Sequence, residues 1–197
     1  MLTPRTSVLD VLVLTCALAS AVPFLGACGG DDSAPPSSAT CAGAGCDCDA
    51  AGACRCSAGD DCHAECGAEA CSLTCETGTK CNATSTDSVT IDCRTDAECK
   101  GNGGPGSVIV CDGSTKCELK ADVDSTATCR NEADCKIQLG AGSTVTCSDK
   151  SSCDIKCDGD CAVTCSATNK LCKLDCGTDD AAVATTCPGG RLVCGDC

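Results

Sequence analysis

Five cysteine pairs in this chain, Cys75/Cys81, Cys93/Cys99, Cys111/Cys117, Cys129/Cys135 and Cys147/Cys153, share the spacing C-x5-C, and each begins 18 residues after the one before. Cys165 keeps the period, and its neighbour Cys172 arrives one residue late. A unit this short cannot enclose a core of its own. It must bury its apolar side against the next unit, so a fixed short period implies a stacked repeat.

The residues around each pair say what kind of unit stacks. Two positions before the first cysteine stand Leu73, Ile91, Ile109, Ala127, Val145 and Val163. Two positions after the second stand Ala83, Gly101, Leu119, Ile137, Ile155 and Leu174. Alternation with period two is the signature of strands. In the unit that runs from Ser143 to Cys157, the side chains of Val145, Cys147, Cys153, Ile155 and Cys157 share one side, while Thr144, Thr146, Asp154 and Lys156 share the other. Polar turn-forming runs such as SDKSS (148–152) separate the two strands, and Gly- or Asp-rich runs such as GNGGPG (101–106) follow them. Helix is disfavoured by the six-residue spacing, the glycines and the β-branched residues. The expectation is an all-β chain: a disulfide-braced parallel β-solenoid of about seven or eight 18-residue coils, each strand–turn–strand–loop. Composition agrees with a narrow interior. The chain has 28 cysteines in 197 residues, and Phe24 is its only aromatic residue. Cross-links must then supply what a large aromatic core normally would.

The N-terminus reads as a targeting segment. Arg5 precedes an apolar run at 11–24 that is short for a membrane span. Leu25-Gly26-Ala27-Cys28 follows at once. These four residues resemble the lipobox of bacterial lipoproteins. That resemblance implies a signal peptide over 1–27, cleavage before Cys28, a lipid on Cys28, and attachment to a membrane of the cell envelope. Gly29 stands where an aspartate would favour retention at the inner membrane, so the resemblance implies the outer membrane rather than the inner. Residues 29–40, GGDDSAPPSSAT, read as a flexible tether, which makes 28–40 a lipidated cysteine plus linker. With Cys16 and Cys28 set aside, 26 cysteines remain, an even number that allows complete pairing into 13 disulfides.

The segments Thr74-Cys75…Cys81, Thr128-Cys129…Cys135 and Thr146-Cys147…Cys153 resemble the T-C-x5-C units of the small antifreeze proteins of tenebrionid beetles. The likeness covers roughly 71–176 and lies in cysteine spacing, since those coils have 12 residues against 18 here. It implies pairing of neighbours inside each coil: Cys75–Cys81, Cys93–Cys99, Cys111–Cys117, Cys129–Cys135, Cys147–Cys153 and Cys165–Cys172. Cys66–Cys71 and Cys157–Cys161 would close the far turn of their coils if their Cα atoms lie about 4.4–6.8 Å apart. The expected organisation is a Cys-dense N-terminal cap (41–70), the solenoid (71–176) and a C-terminal cap (177–197).

Other candidate chemistries each meet a plainer reading. Cys46-Asp47-Cys48, Cys54-Arg55-Cys56 and Cys194-Gly195-Asp196-Cys197 have thiolate-ligand spacing, but an exported chain favours oxidation over ligation. A redox role for Cys194 and Cys197 lacks a helix to lower a thiol pKa. The sole histidine, His63, alternates with inward positions and is expected to face solvent. Asp158-Gly159-Asp160 and Asp179-Asp180 suit calcium or simply turns. Thr126/Thr128 and Thr144/Thr146 form two steps of a threonine ladder that Asp92, Val108 and Val110 interrupt. A net charge of −14 argues against nucleic acid as a partner. The expectation is an envelope or cell-surface lipoprotein with a rigid structural or interaction role and an unknown envelope or protein partner. No catalytic residue, metal site or cofactor is expected. A metal- or calcium-binding protein and an ice-binding protein are the alternatives.

Overall fold

The computed structural model of the chain describes residues 39–57, 61–67, 70–177 and 182–197, with Ala182 described through its backbone alone. Two short strands open it, β1 (Thr40–Ala42) and β2 (Cys46–Cys48). Seven coils follow, each made of two strands. They are β3 (Ala53–Cys56) with β4 (Cys62–Cys66), β5 (Cys71–Cys75) with β6 (Lys80–Ser85), and β7 (Val89–Cys93) with β8 (Glu98–Gly103). Next come β9 (Val108–Asp112) with β10 (Lys116–Ala121), β11 (Thr126–Arg130) with β12 (Asp134–Gly140), β13 (Thr144–Cys147) with β14 (Ser152–Asp158), and β15 (Cys161–Cys165) with β16 (Leu171–Cys176). Three short strands end the chain: β17 (Ala182–Val183), β18 (Thr185–Thr186) and β19 (Leu192–Cys194).

The first strands of the coils stack in parallel into one sheet, and the second strands into another. We call the sheet of even strands β4 to β16 sheet A and the sheet of odd strands β3 to β15 sheet B. Register keeps equivalent residues in line: Cys129 pairs with Cys111 and Cys147, and Ile137 with Leu119 and Ile155. This is the parallel β-solenoid expected from the repeat, and no helix occurs among the described residues. The ladder begins earlier than expected at residue 71, because β3 and β4 already pair in parallel with β5 and β6. The first coil was obscured because Cys56 precedes Cys75 by 19 residues, one more than the period.

The two sheets close on a narrow interior. Burial alternates residue by residue, as in Thr144–Cys147 and Lys116–Ala121, because a pleated strand turns successive side chains to opposite faces. Inside lie Leu73, Ile91, Ile109, Val145 and Val163 from sheet B and Leu119, Ile137 and Ile155 from sheet A, all essentially inaccessible. Gly101 occupies the same inner column. Its φ is +153°, and a Cβ there would overlap the carbonyl oxygen of Ala83 in the coil below.

The turn between the two strands of a coil is tight. In the fifth coil the amide of Ala133 donates to the carbonyl of Arg130 (3.3 Å), and Asn131 and Glu132 both have positive φ (55° and 70°), the geometry of a type I′ turn. At the opposite edge, Ser107, Ser125 and Ser143 stack 18 residues apart and are buried. The Oγ of Ser125 donates to the carbonyl of Asp122 (2.7 Å) and accepts the amide of Ser107 (3.2 Å), while Ser143 Oγ accepts the amide of Ser125 (3.1 Å). This serine ladder satisfies backbone donors that the loop would otherwise bury unpaired.

Both ends switch to antiparallel pairing. β1 lies on β4, β2 on β3, β17 on β16 and β19 on β15. Short reversed strands cover the open parallel edges that would otherwise template further stacking.

Candidate functional site

All 26 cysteines from Cys41 to Cys197 are joined in pairs. One column follows the tight turns: Cys56–Cys62, Cys75–Cys81, Cys93–Cys99, Cys111–Cys117, Cys129–Cys135, Cys147–Cys153 and Cys165–Cys172. Cys66–Cys71 and Cys157–Cys161 close the far edge of their coils, with Cα separations of 5.9 and 6.1 Å. The ends add Cys41–Cys46, Cys48–Cys54, Cys176–Cys194 and Cys187–Cys197. Cys28 lies outside the described residues.

Stacking the coils brings sulfurs of neighbouring cystines together. The Sγ atoms of Cys75, Cys93 and Cys99 lie within 4.8 Å of one another, as do those of Cys93, Cys111 and Cys117. Such groups have the geometry of a thiolate cluster, but each sulfur is already spent in a disulfide and has no thiolate to offer a metal. The same holds for the C-x-C segments, whose members bond to different partners, and for Cys194 and Cys197, which bond to Cys176 and Cys187 rather than to each other.

His63 sits on the outer face of β4 with its side chain about two-fifths exposed, and its Nε2 is 3.2 Å from Glu65 Oε1. Asp158 Oδ2 accepts a hydrogen bond from Gln138 Nε2 (2.8 Å), and the Asp160 carbonyl accepts the amide of Gly142 (2.6 Å). Asp179 and Asp180 lie outside the described residues.

The outward residues divide by sheet. On sheet B two outer columns read Ala53, Ser72, Thr90, Val108, Thr126, Thr144, Ala162 and Arg55, Thr74, Asp92, Val110, Thr128, Thr146, Thr164. Arg55 and Asp92 are the charges among them. Beside the tight turns this face is trimmed by ion pairs that run from coil to coil. Glu76 meets Arg55 (2.7 Å) and Arg94 (3.1 Å), and Asp112 meets Arg130 (2.8 Å) and the side-chain amide of Asn131 (2.6 Å). The Asn131 hydrogen bond, with Arg130 beside it, holds the Asp112 carboxyl below the usual carboxylate range despite partial burial.

Sheet A carries the opposite chemistry. Its column before the second cysteine reads Lys80, Glu98, Lys116, Asp134, Ser152, Leu171, and its column after that cysteine reads His63, Asn82, Lys100, Glu118, Lys136, Asp154, Lys173. Sign alternates at every step from Lys80 to Asp134 and from Lys100 to Lys173, and also across the strands, where Glu98 stands beside Lys100 and Lys116 beside Glu118. Lys100 Nζ lies 3.2 Å from Glu118 and 3.4 Å from Glu98, whose hydrogen bonds and charges, Glu118 foremost, raise its pKa. Over β4 to β16 the outward side holds seven of the nine lysines and seven carboxylates, so this face is neutral in a chain of charge −14. A shallow trough of about 690 Å³ runs along it from Asn82 to Asp175. The division between faces is hidden in the sequence as long as outer positions count as one set; each strand's outer column, followed separately, reveals it.

Compared with family models, curated proteins and solved structures, the chain matches none.

Proposed function

We propose that the chain is a lipoprotein of the bacterial envelope or cell surface, held through a lipid on Cys28, whose solenoid serves as a rigid, protease-resistant rod with a structural or interaction role and no catalysis. One observation carries the reading. Every cysteine from 41 to 197 has a partner within that span, so the thirteen disulfides leave no cysteine there to pair with Cys28. A cysteine that those thirteen disulfides do not take up, placed right after an apolar run and Leu25-Gly26-Ala27, is suited to lipid attachment. The rod supports the rest. Its interior is closed by cross-links and leaves interaction to the two outer faces. A single acyl chain binds a membrane only reversibly, so firm anchoring calls for more than one chain on that residue.

Cys28→Ser tests the reading. The variant should be found in the soluble fraction with its thirteen disulfides intact by non-reducing mass, while the parent chain sediments with membranes. Continued membrane association of the variant would overturn the lipid anchor. A large number of alkylatable thiols together with bound zinc would overturn the structural role of the cysteines in favour of metal binding.

The threonine, serine and valine columns of sheet B support a second reading, ice binding, since a regular flat array of hydroxyl and methyl groups is what such a surface requires. Arg55, Asp92 and the two valines interrupt it. Crystal shaping by the soluble chain in undercooled water would favour that reading, and unmodified crystals would remove it.

A further inference from the structure

We infer that sheet A is a self-association surface, on which a second copy of this chain stacks face to face about a two-fold axis. The argument starts from the alternation of charge along its columns. Place the axis in the plane of contact, parallel to the strands and midway between β10 and β12. Each column then faces itself with the coil order reversed. Lys116 meets the second copy's Asp134, Glu118 meets its Lys136, and Lys100 meets its Asp154, each pair occurring twice by symmetry. No like charges meet. Move the axis half a coil so that it passes through β10, and Lys116 and Glu118 each meet their own copies. Alternation thus selects registers with the axis between coils and rejects those with the axis on a strand, as a two-fold contact between identical surfaces demands.

Net charge does not oppose contact at this face. At −14 per chain two copies repel, but the lysines and carboxylates of sheet A balance, so the face itself adds nothing to that repulsion. Alternation also relieves stacking of like charges within one rod, as the Lys100 contacts show. That internal role predicts a monomer, which separates the two explanations. Area sets the strength. Seven coils at ~4.8 Å and five residues at ~3.3 Å give a face of about 34 by 17 Å. Burying it on both copies removes roughly 1,100 Å² in total, the low end for a specific interface. The association is therefore reversible and salt-sensitive.

Sedimentation velocity across a concentration series of the Cys28→Ser chain, with its disulfides intact, is the test. A monomer–dimer equilibrium is expected at low salt, weakened by at least roughly tenfold between about 20 mM and about 500 mM salt as the exposed pairs are screened. Lys116→Glu with Lys136→Glu sets like charges against the second copy's Asp134 and Glu118 and should weaken the dimer by at least roughly tenfold, with the non-reducing mass unchanged. Carbodiimide cross-linking of mixed light- and heavy-isotope chains should join Lys116 to Asp134 between copies. A monomer at every concentration and salt would overturn the proposal. So would a dimer that survives the double variant, or intermolecular cross-links that map to sheet B.

Discussion

Removing the central cystine by Cys129→Ala with Cys135→Ala tests how the rod is held. The bridge closes a loop of six residues between positions 6.6 Å apart at Cα, and both cysteines are fully buried. On the chain-entropy account that closure contributes about 2.2 kcal/mol. The two lost sulfurs leave a void of roughly 40 Å³, which at ~24 cal/mol per Å³ adds about 1 kcal/mol. The total of about 3 kcal/mol corresponds to a roughly 100-fold faster hydrogen exchange wherever opening of this coil governs exchange. A solenoid couples each coil only to its neighbours, so the loss should centre on β11 and β12 and fade over β9, β10, β13 and β14. Exchange measured by mass spectrometry under non-reducing conditions reads this peptide by peptide. Equal loss of protection in every coil would refute nearest-neighbour coupling. Unchanged protection in β11 and β12 would show that ladder hydrogen bonds alone hold the coil and that the cystine contributes nothing.

Ser125→Ala should accelerate exchange of the Ser107 amide, which loses its buried acceptor, at a cost of about 1–3 kcal/mol; unchanged exchange by NMR would refute the serine ladder. Gly101→Ala should destabilise the third coil by roughly 1–3 kcal/mol or prevent its folding, because the new Cβ meets the Ala83 backbone and the φ of +153° disfavours any side chain; wild-type exchange in β8 would contradict this. The depressed pKa of Asp112 gives a signed prediction. Its contribution to stability is present above the unfolded carboxylate range and disappears as pH falls through its lower folded value, so Asp112→Asn should remove that part of the acid dependence. Acid-limb exchange protection in β9 and β11 checks it, and an identical pH profile for the variant would refute it.

How much of this could be read in advance depends on which residues repeat. The 18-residue cysteine spacing and the alternation around Val145 and Ile155 carry the solenoid and its inner face, since burial forces the same choice at every coil. The serine ladder is equally periodic at 107, 125 and 143, yet serine is so common in turns that its regularity does not stand out from the turn signal. The caps were not legible. β17, β18 and β19 span two or three residues each, too few for alternation to show. Their cysteines Cys176, Cys187, Cys194 and Cys197 admit three pairings, and spacing does not choose among them. The early start at β3 was hidden by one extra residue before Cys75.

The two faces show why the candidate surface was harder to read than the fold. An inner column is under one constraint, to fill a narrow space, and so keeps one character from coil to coil. An outer column in a parallel in-register stack is under a different one. Identical charged residues would sit about 4.8 Å apart along it, so charges must alternate or be absent. Sheet A takes the first solution, with Lys116 between Glu98 and Asp134; sheet B takes it beside the tight turns, where Arg130 lies against Asp112, and takes the second over most of its width, with Thr128 between Val110 and Thr146. Both satisfy the stack equally well. Stability of the rod alone therefore gives no reason for placing seven of nine lysines on one side. That segregation is the part of the sequence the fold does not explain, and it is where selection for a contact would leave its mark.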